Sequence, residues 1–144
     1  MYLRRWGVVS RRLLERESLT PSWRTLREVY RRLEDRGQIH GGRFVQGLAG
    51  EQFALPDAAT ALAGTERAGH TKLVISGCDP LNLTGLIGTD ERVPARSGNR
   101  ILLRDGLPVA ARIDGEVRAL GTTEVITPET EALLRRRQPL RETI

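Results

Sequence analysis

The sequence predicts an α+β fold in two consecutive units, a helix-and-hairpin unit over residues 1–63 and an antiparallel β unit over residues 71–144 that closes with a helix. Three observations carry this. Trp23, Leu26, Tyr30 and Leu33 recur at steps of 3, 4 and 3 ahead of Gly37, the period of about 3.6 that gives a helix one buried face. Two Asp-Gly pairs, Asp105-Gly106 and Asp114-Gly115, separate short apolar runs in the second half. Asp-Gly in that setting is a strong hairpin signal because both turn residues take positive φ. Thr127, Pro128 and Glu129 then precede Glu131 to Arg137 in the order of a helix start.

In the first unit, Thr20 suits an N-cap and Pro21 the first helical position, where a missing N–H leaves no partner wanting. Val29 lies alongside the apolar face. Gly37 can take the left-handed conformation that ends the helix, and Arg31, Arg32 and Arg36 favour its negative end. At about 100° per residue, Arg24, Arg27 and Arg31 fall within about 60° of one another on the far side, with Glu28 and Asp35 nearby. They form a short basic stripe. Ile39, Phe44 and Val45, then Phe53 and Leu55, supply two strand segments around Gln46-Gly47-Leu48-Ala49-Gly50, with Arg43 at the base of the loop and His40, Gln46 and Gln52 beside it. A helix that runs into such a hairpin with its positive charge outward is how a winged helix meets DNA, which makes nucleic acid the expected partner. The competing reading of the stripe is a solvated helix face with i,i+4 pairs such as Glu28 and Arg32.

Pro56 to Ala63 reads as a short helix and Gly64 to His70 as a polar linker. Beyond it, Lys72 to Ser76 is a strand, and Cys78 to Leu86 suggests a turn followed by a helical turn. Arg100 to Arg104, Leu107 to Ile113 and Glu116 to Leu120 form a meander whose two-residue turns oppose Arg104 to Leu107, Arg100 to Ala111 and Ala111 to Arg118. In that register Arg100, Arg104 and Arg118 share one face as a second phosphate-facing patch, and Ile101, Leu103, Ala110, Val117 and Ala119 form the core face. The Arg135-Arg136-Arg137 run complements the dipole of the last helix.

Composition narrows the function classes. Of the 144 residues, 39% are hydrophobic and 28% charged, with a net charge of +5, an ordinary globular balance. Met1 to Gln46 holds eleven arginines and five acids, a net of +6, against −1 for the remainder. Four of the six aromatics, Trp23, Tyr30, Phe44 and Phe53, lie in the helix and wing segment, so base-stacking platforms elsewhere are not expected. The single Cys78 leaves no internal disulfide and fits a reducing compartment. With neither a signal-peptide pattern nor an apolar run of about 20 residues, the chain reads as cytosolic, with no membrane partner.

No G-x-x-x-x-G-K-[ST] loop occurs, so this chain holds no nucleotide-driven motor of that kind. The spacing of His40, His70 and Cys78 matches no metal motif, and no cofactor or small-molecule substrate is expected. A Cys78 nucleophile with His70 as base competes with the simpler reading of a buried thiol. Asp79 and Asp90 are the acids best placed for an active site, although Asp79 before Pro80 is more simply a turn or cap residue.

Several motifs together resemble the C-terminal region of the large helicase-related (Lhr) proteins. These are Arg5-Trp6-Gly7-Val8-Val9, Pro21-Ser22-Trp23-Arg24, Val29-Tyr30-Arg31-Arg32-Leu33-Glu34, Gly41-Gly42-Arg43-Phe44-Val45 and Gly50-Glu51-Gln52-Phe53-Ala54-Leu55-Pro56. Asp79-Pro80-Leu81-Asn82-Leu83, Glu91-Arg92-Val93-Pro94-Ala95, Asn99-Arg100 and Arg104-Asp105-Gly106 with Pro108-Val109-Ala110 extend the likeness from about Leu3 to Leu120. The resemblance implies superfamily 2 DNA helicases with an ATP-driven motor at the N-terminus, followed by winged-helix and β-barrel modules like those of winged-helix DNA glycosylases. It further implies that the motor and most of the first winged-helix helix are missing here. Ser10 stands where the family pattern has a bulky aromatic, and Leu48-Ala49 where it has a Phe-Ser-like pair.

The expectation is therefore a winged helix followed by a small antiparallel β-barrel-like sheet with a C-terminal helix. It would serve as a non-catalytic, sequence-tolerant DNA-binding accessory module of such a helicase, in DNA repair. Arg24, Arg27, Arg31 and Arg43 would contact phosphates, with Arg100, Arg104 and Arg118 as further candidates. A base-glycosylase module using Asp79 or Asp90, and a module that docks on the helicase motor domains, are the rival expectations.

Overall fold

The computed structural model describes residues 1–65, 71–121, 125–136 and 141–142. The chain forms two compact units, Met1–Glu66 and Arg67–Ile144.

In the first unit, α1 (Tyr2–Trp6), β1 (Val8–Ser10) and α2 (Arg11–Leu14) precede the long helix α3 (Trp23–Asp35). The strands β2 (His40–Gly42) and β3 (Gln52–Ala54) and the helix α4 (Pro56–Ala63) follow. The sheet is antiparallel in the order β1-β3-β2, with Val9 and Gly41 both opposite Phe53. As the middle strand, β3 is wholly inaccessible to solvent. Phe53 centres a core of Leu3, Val9, Leu14, Tyr30 and Ile39, its ring 5.2 Å from Tyr30 and 6.2 Å from Trp23.

Helix α3 starts later than Thr20. Its N-cap is Ser22, whose hydroxyl accepts the Thr25 N–H at 3.2 Å. A residue before proline is pushed into extended backbone, so Thr20 is carried away from the first turn and Ser22 satisfies the orphan amide instead. Tyr30 is buried, whereas Val29, at the margin of the apolar arc, stays 46% exposed. The end of the helix follows expectation. Gly37 has φ 69 and donates to the Glu34 carbonyl, while Gln38 donates to the Leu33 carbonyl, the paired bonds of a Schellman stop.

The hairpin departs from its expected form. Phe44 and Val45 lie in the connection between β2 and β3, and the pairing strand is His40–Gly42. Gly41 belongs there because a Cβ would sit 2.5 Å from Glu34 Oε1, which accepts the Gly41 N–H. The connection is organised by one fully buried side chain. Gln52 Oε1 accepts the N–H groups of Phe44 and Val45, and Nε2 donates to the Val45 and Leu48 carbonyls. The amide thus replaces ladder bonds that the loop backbone lacks. β1 was not expected at all, because three residues carry no period to recognise.

In the second unit, β4 (Lys72–Ser76), β5 (Arg100–Arg104), β6 (Leu107–Ile113), β7 (Glu116–Ala119) and β8 (Arg141–Glu142) form one sheet, with α5 (Pro128–Arg135) as its helix. Asp105 and Asp114 both have φ 50, and each is followed by a positive-φ glycine, as the two Asp-Gly turns require. Thr127 caps α5 by accepting the Thr130 N–H. Arg137 lies outside the described residues.

The sheet is open, in the order β7-β6-β5-β4-β8, so a barrel-like closure is not formed. Its register also differs. A bulge between Leu102 and Leu103 makes Arg100 face Arg112 rather than Ala111, while Arg104 still faces Leu107 and Ala111 still faces Arg118. One extra residue flips the alternation on that stretch of β6. Arg100 and Arg104 therefore share a face with Leu102 and Ala110, and Arg118 projects from the other with Ile101, Leu103 and Ala111.

Both faces are core. Val74, Leu102 and Ala110 pack with Leu134 of α5; Ile75, Ile101, Leu103 and Ala111 pack with Val93 and Leu120. The segment from Gly77 to Asn99 forms no helix or strand, yet the expected turn and helical turn are present, as Asn82 donates to the Asp79 carbonyl and both Leu86 and Ile87 donate to the Leu83 carbonyl, and the segment is held by polar groups inside it. Buried Asn82 donates to the Gly77 and Val93 carbonyls and accepts from Thr84, and Asn99 donates to the Pro94 carbonyl.

Candidate nucleic-acid interface

Helix α3 presents Arg24, Arg27 and Arg31 outward, all exposed, and Arg43 is exposed at the start of the loop between β2 and β3. The arginines do not stand alone. Arg27 Nε donates to Glu51 Oε2 at 2.8 Å and Arg31 Nη2 to Glu51 Oε1 at 2.7 Å, so one carboxylate from the loop bridges two guanidiniums on the helix. Arg24 lies 3.9 Å from Glu28 one turn on, a looser i,i+4 pair. The stripe is thus partly neutralised within the molecule. For Arg43 no ion pair forms among the described residues.

Between α3 and the loop runs a groove of about 520 Å³, bounded by Arg31 and Glu34, by Gly41 and Gly42 of β2, and by Arg43, Gly50 and Glu51. The glycines of β2 make room for side chains, the Glu34 carboxylate over Gly41 and the Phe44 ring against Gly42. Glu51 is the residue that sequence reasoning missed. Its contact spans 20 and 24 positions, beyond any helical spacing, so only its place just after the wing glycine hinted at it.

The β unit disperses its arginines. Arg118 is paired with Glu91. Arg100 and Arg104 lie on the α5 side, where Lys72 donates to Glu129 at 2.7 Å. That hydrogen bond and the ammonium charge, with Arg104 contributing less, hold the Glu129 carboxyl below the usual carboxylate range. Arg112, opposite Arg100, was not anticipated because its place depends on the bulge.

Candidate chemistry elsewhere is explained locally. Asp79 Oδ1 accepts the Leu81 N–H at 2.8 Å, an Asx turn, and Asp90 is exposed. Cys78 is exposed rather than buried, because it sits in the turn after β4. His40 is exposed on β2, and His70 lies outside the described residues. Among the described residues no three His, Cys, Asp or Glu side chains gather as metal ligands, and no helix is long and apolar enough to cross a membrane.

A three-stranded antiparallel sheet backed by a capped long helix, with a loop between its last two strands lying along that helix, defines the first unit as a winged-helix domain. Residues 1–74 match the family model described as large helicase-related protein, winged-helix domain, and the chain belongs to that family. It is also similar to the Lhr helicase/uracil glycosylase of Escherichia coli (strain K12), 36% identical over 90 residues that cover 58% of this chain and 6% of that protein. The chain thus corresponds to a helicase-associated domain, a small part of so large a relative, without the phosphate-binding loop of a motor.

Proposed function

We propose that the chain is a non-catalytic DNA-binding accessory module, which grips or guides a strand handled by the motor of a large helicase-related protein engaged in DNA repair. The observation that carries this reading is the pair Arg31 and Arg43 bounding one groove between α3 and the wing loop, with Arg27 and Arg24 continuing the basic stripe along the exposed side of the helix. Guanidinium forks of this kind match phosphate oxygens, and phosphate contacts position a protein without specifying sequence. Arg100 and Arg104 on one sheet face would be a separate, weaker patch, with Arg118 on the other.

The test is a fluorescence-anisotropy titration of the full chain against single- and double-stranded oligonucleotides across a salt series. Simultaneous Arg24→Ala, Arg27→Ala and Arg31→Ala should weaken binding and flatten the salt dependence by roughly 0.9 per lost duplex phosphate contact. An unchanged slope removes α3 from the interface. The relative's name supports a second reading, uracil excision with Asp79 or Asp90 as the acid. Abasic product from a uracil-bearing oligonucleotide without ATP would favour it, and no product would retire it for this chain.

A further inference from the structure

Among the described residues, Glu51 is the acid that contacts the arginines of α3 from outside the helix. We propose that its carboxylate is an internal stand-in for phosphate: it occupies Arg27 and Arg31 in the free protein and is displaced when contiguous backbone phosphates enter the groove. This rests on the DNA-binding reading of that groove and adds the residue that sets its affinity and its preference for a polymer.

Three features carry the proposal. Each carboxylate oxygen takes one guanidinium, at 2.8 and 2.7 Å, the lengths of charge-assisted bonds and the bridging pattern that phosphate oxygens make with paired arginines. Arg27 and Arg31 are 50% and 54% exposed, and ion pairs that open to water are weak enough to be exchanged. The backbone around Glu51 is pinned independently of the ion pairs that its side chain makes. Gln52 anchors the loop through four hydrogen bonds, and Gly50 at φ 89 provides the turn before Glu51. The carboxylate can therefore swing away without unfolding the wing.

Selectivity follows from the exchange. An isolated phosphate that reaches one arginine merely trades a carboxylate contact for its own. A strand that offers adjacent phosphates engages both arginines together, and Arg43 besides, and so outcompetes Glu51. Glu51 thus disfavours small anions and permits a polyanion.

The experiment compares the full chain with Glu51→Gln, with Arg27→Ala/Arg31→Ala, and with all three changes combined, by anisotropy on single- and double-stranded DNA across salt with inorganic phosphate as competitor. Glu51→Gln should bind about three- to tenfold more tightly at low salt, with a salt slope steeper by about one. Inorganic phosphate should compete better against it than against the wild type. Both gains should vanish in the double-arginine background. Binding by Glu51→Gln that is unchanged or weaker, while the arginine double variant still loses affinity, overturns the proposal and makes Glu51 a positioning residue, with the groove intact. An arginine double variant that binds normally overturns the groove reading itself. Thermal melts check folding, and Glu51→Asp, charged but too short to bridge both arginines, provides a second reading of the same prediction with a smaller gain.

Discussion

Gln52 and Glu51 are neighbours with opposite tasks, and the difference is one of solvent. The Gln52 amide is fully buried and spends all its hydrogen-bonding capacity on the Phe44, Val45 and Leu48 backbone. Gln52→Leu would strand those groups away from water, and a urea titration should show a loss of about 2–4 kcal/mol. Tyr30 is the other buried residue with a measurable signature. Burial first, and the nearby Tyr2 second, push its hydroxyl up from 10.0 to about 12. The folded chain therefore holds this proton more tightly than the unfolded chain. The associated stability is complete below pH 10 and is lost as pH rises toward 12. Thermal melts should show this alkaline decline in the wild type and a shallower one in Tyr30→Phe.

Among the elements, α3 and the irregular segment after β4 each depend on one small residue. Ser22→Ala removes the cap on the Thr25 amide and should cost about 1 kcal/mol, read as a shifted denaturant midpoint. Gly77 is more constrained. A Cβ there would lie 2.8 Å from the carbonyl oxygens of both Pro94 and Arg96, so Gly77→Ala should destabilise the β unit by about 1–3 kcal/mol. Regular elements were legible where a local rule sufficed: α4 from its proline, β5 to β7 from Asp-Gly turns that demand positive φ, and α5 from Thr127 and Pro128. The wing was harder to read. Phe44 and Val45 look like strand residues, yet a side-chain amide eight positions from Phe44 holds them in a loop.

At the scale of the whole molecule, charge is spread more evenly than the first 46 residues suggest. Counted over the observed units, eleven basic residues meet eight acids in the first and twelve meet ten in the second, nets of +3 and +2. The wing's own Glu51 accounts for part of that change. If Arg24, Arg27, Arg31 and Arg43 are the contacts, they neutralise at most four phosphates, and their joint contribution to the salt slope on duplex DNA should not exceed roughly 3.6 in magnitude. The divided sheet adds a contrast. Arg118 is paired with Glu91 on the face opposite Arg100 and Arg104, so it stands apart from that patch, and Arg118→Ala should leave DNA affinity within about twofold in the same titration.

By itself the sequence determined what short-range physics controls: the apolar period of α3 and its stop at Gly37, the hairpin turns at Asp105 and Asp114, and the family to which those motifs belong. Tertiary structure decided what depends on residues far apart. It placed β1 beside β3, shifted β6 by one bulge so that Arg118 left the face of Arg100, and set Glu51 between Arg27 and Arg31. Periodicity records which way a side chain points along its own helix or strand. It carries no record of which distant carboxylate will meet that side chain, because such a meeting is fixed only when separate segments pack against one core.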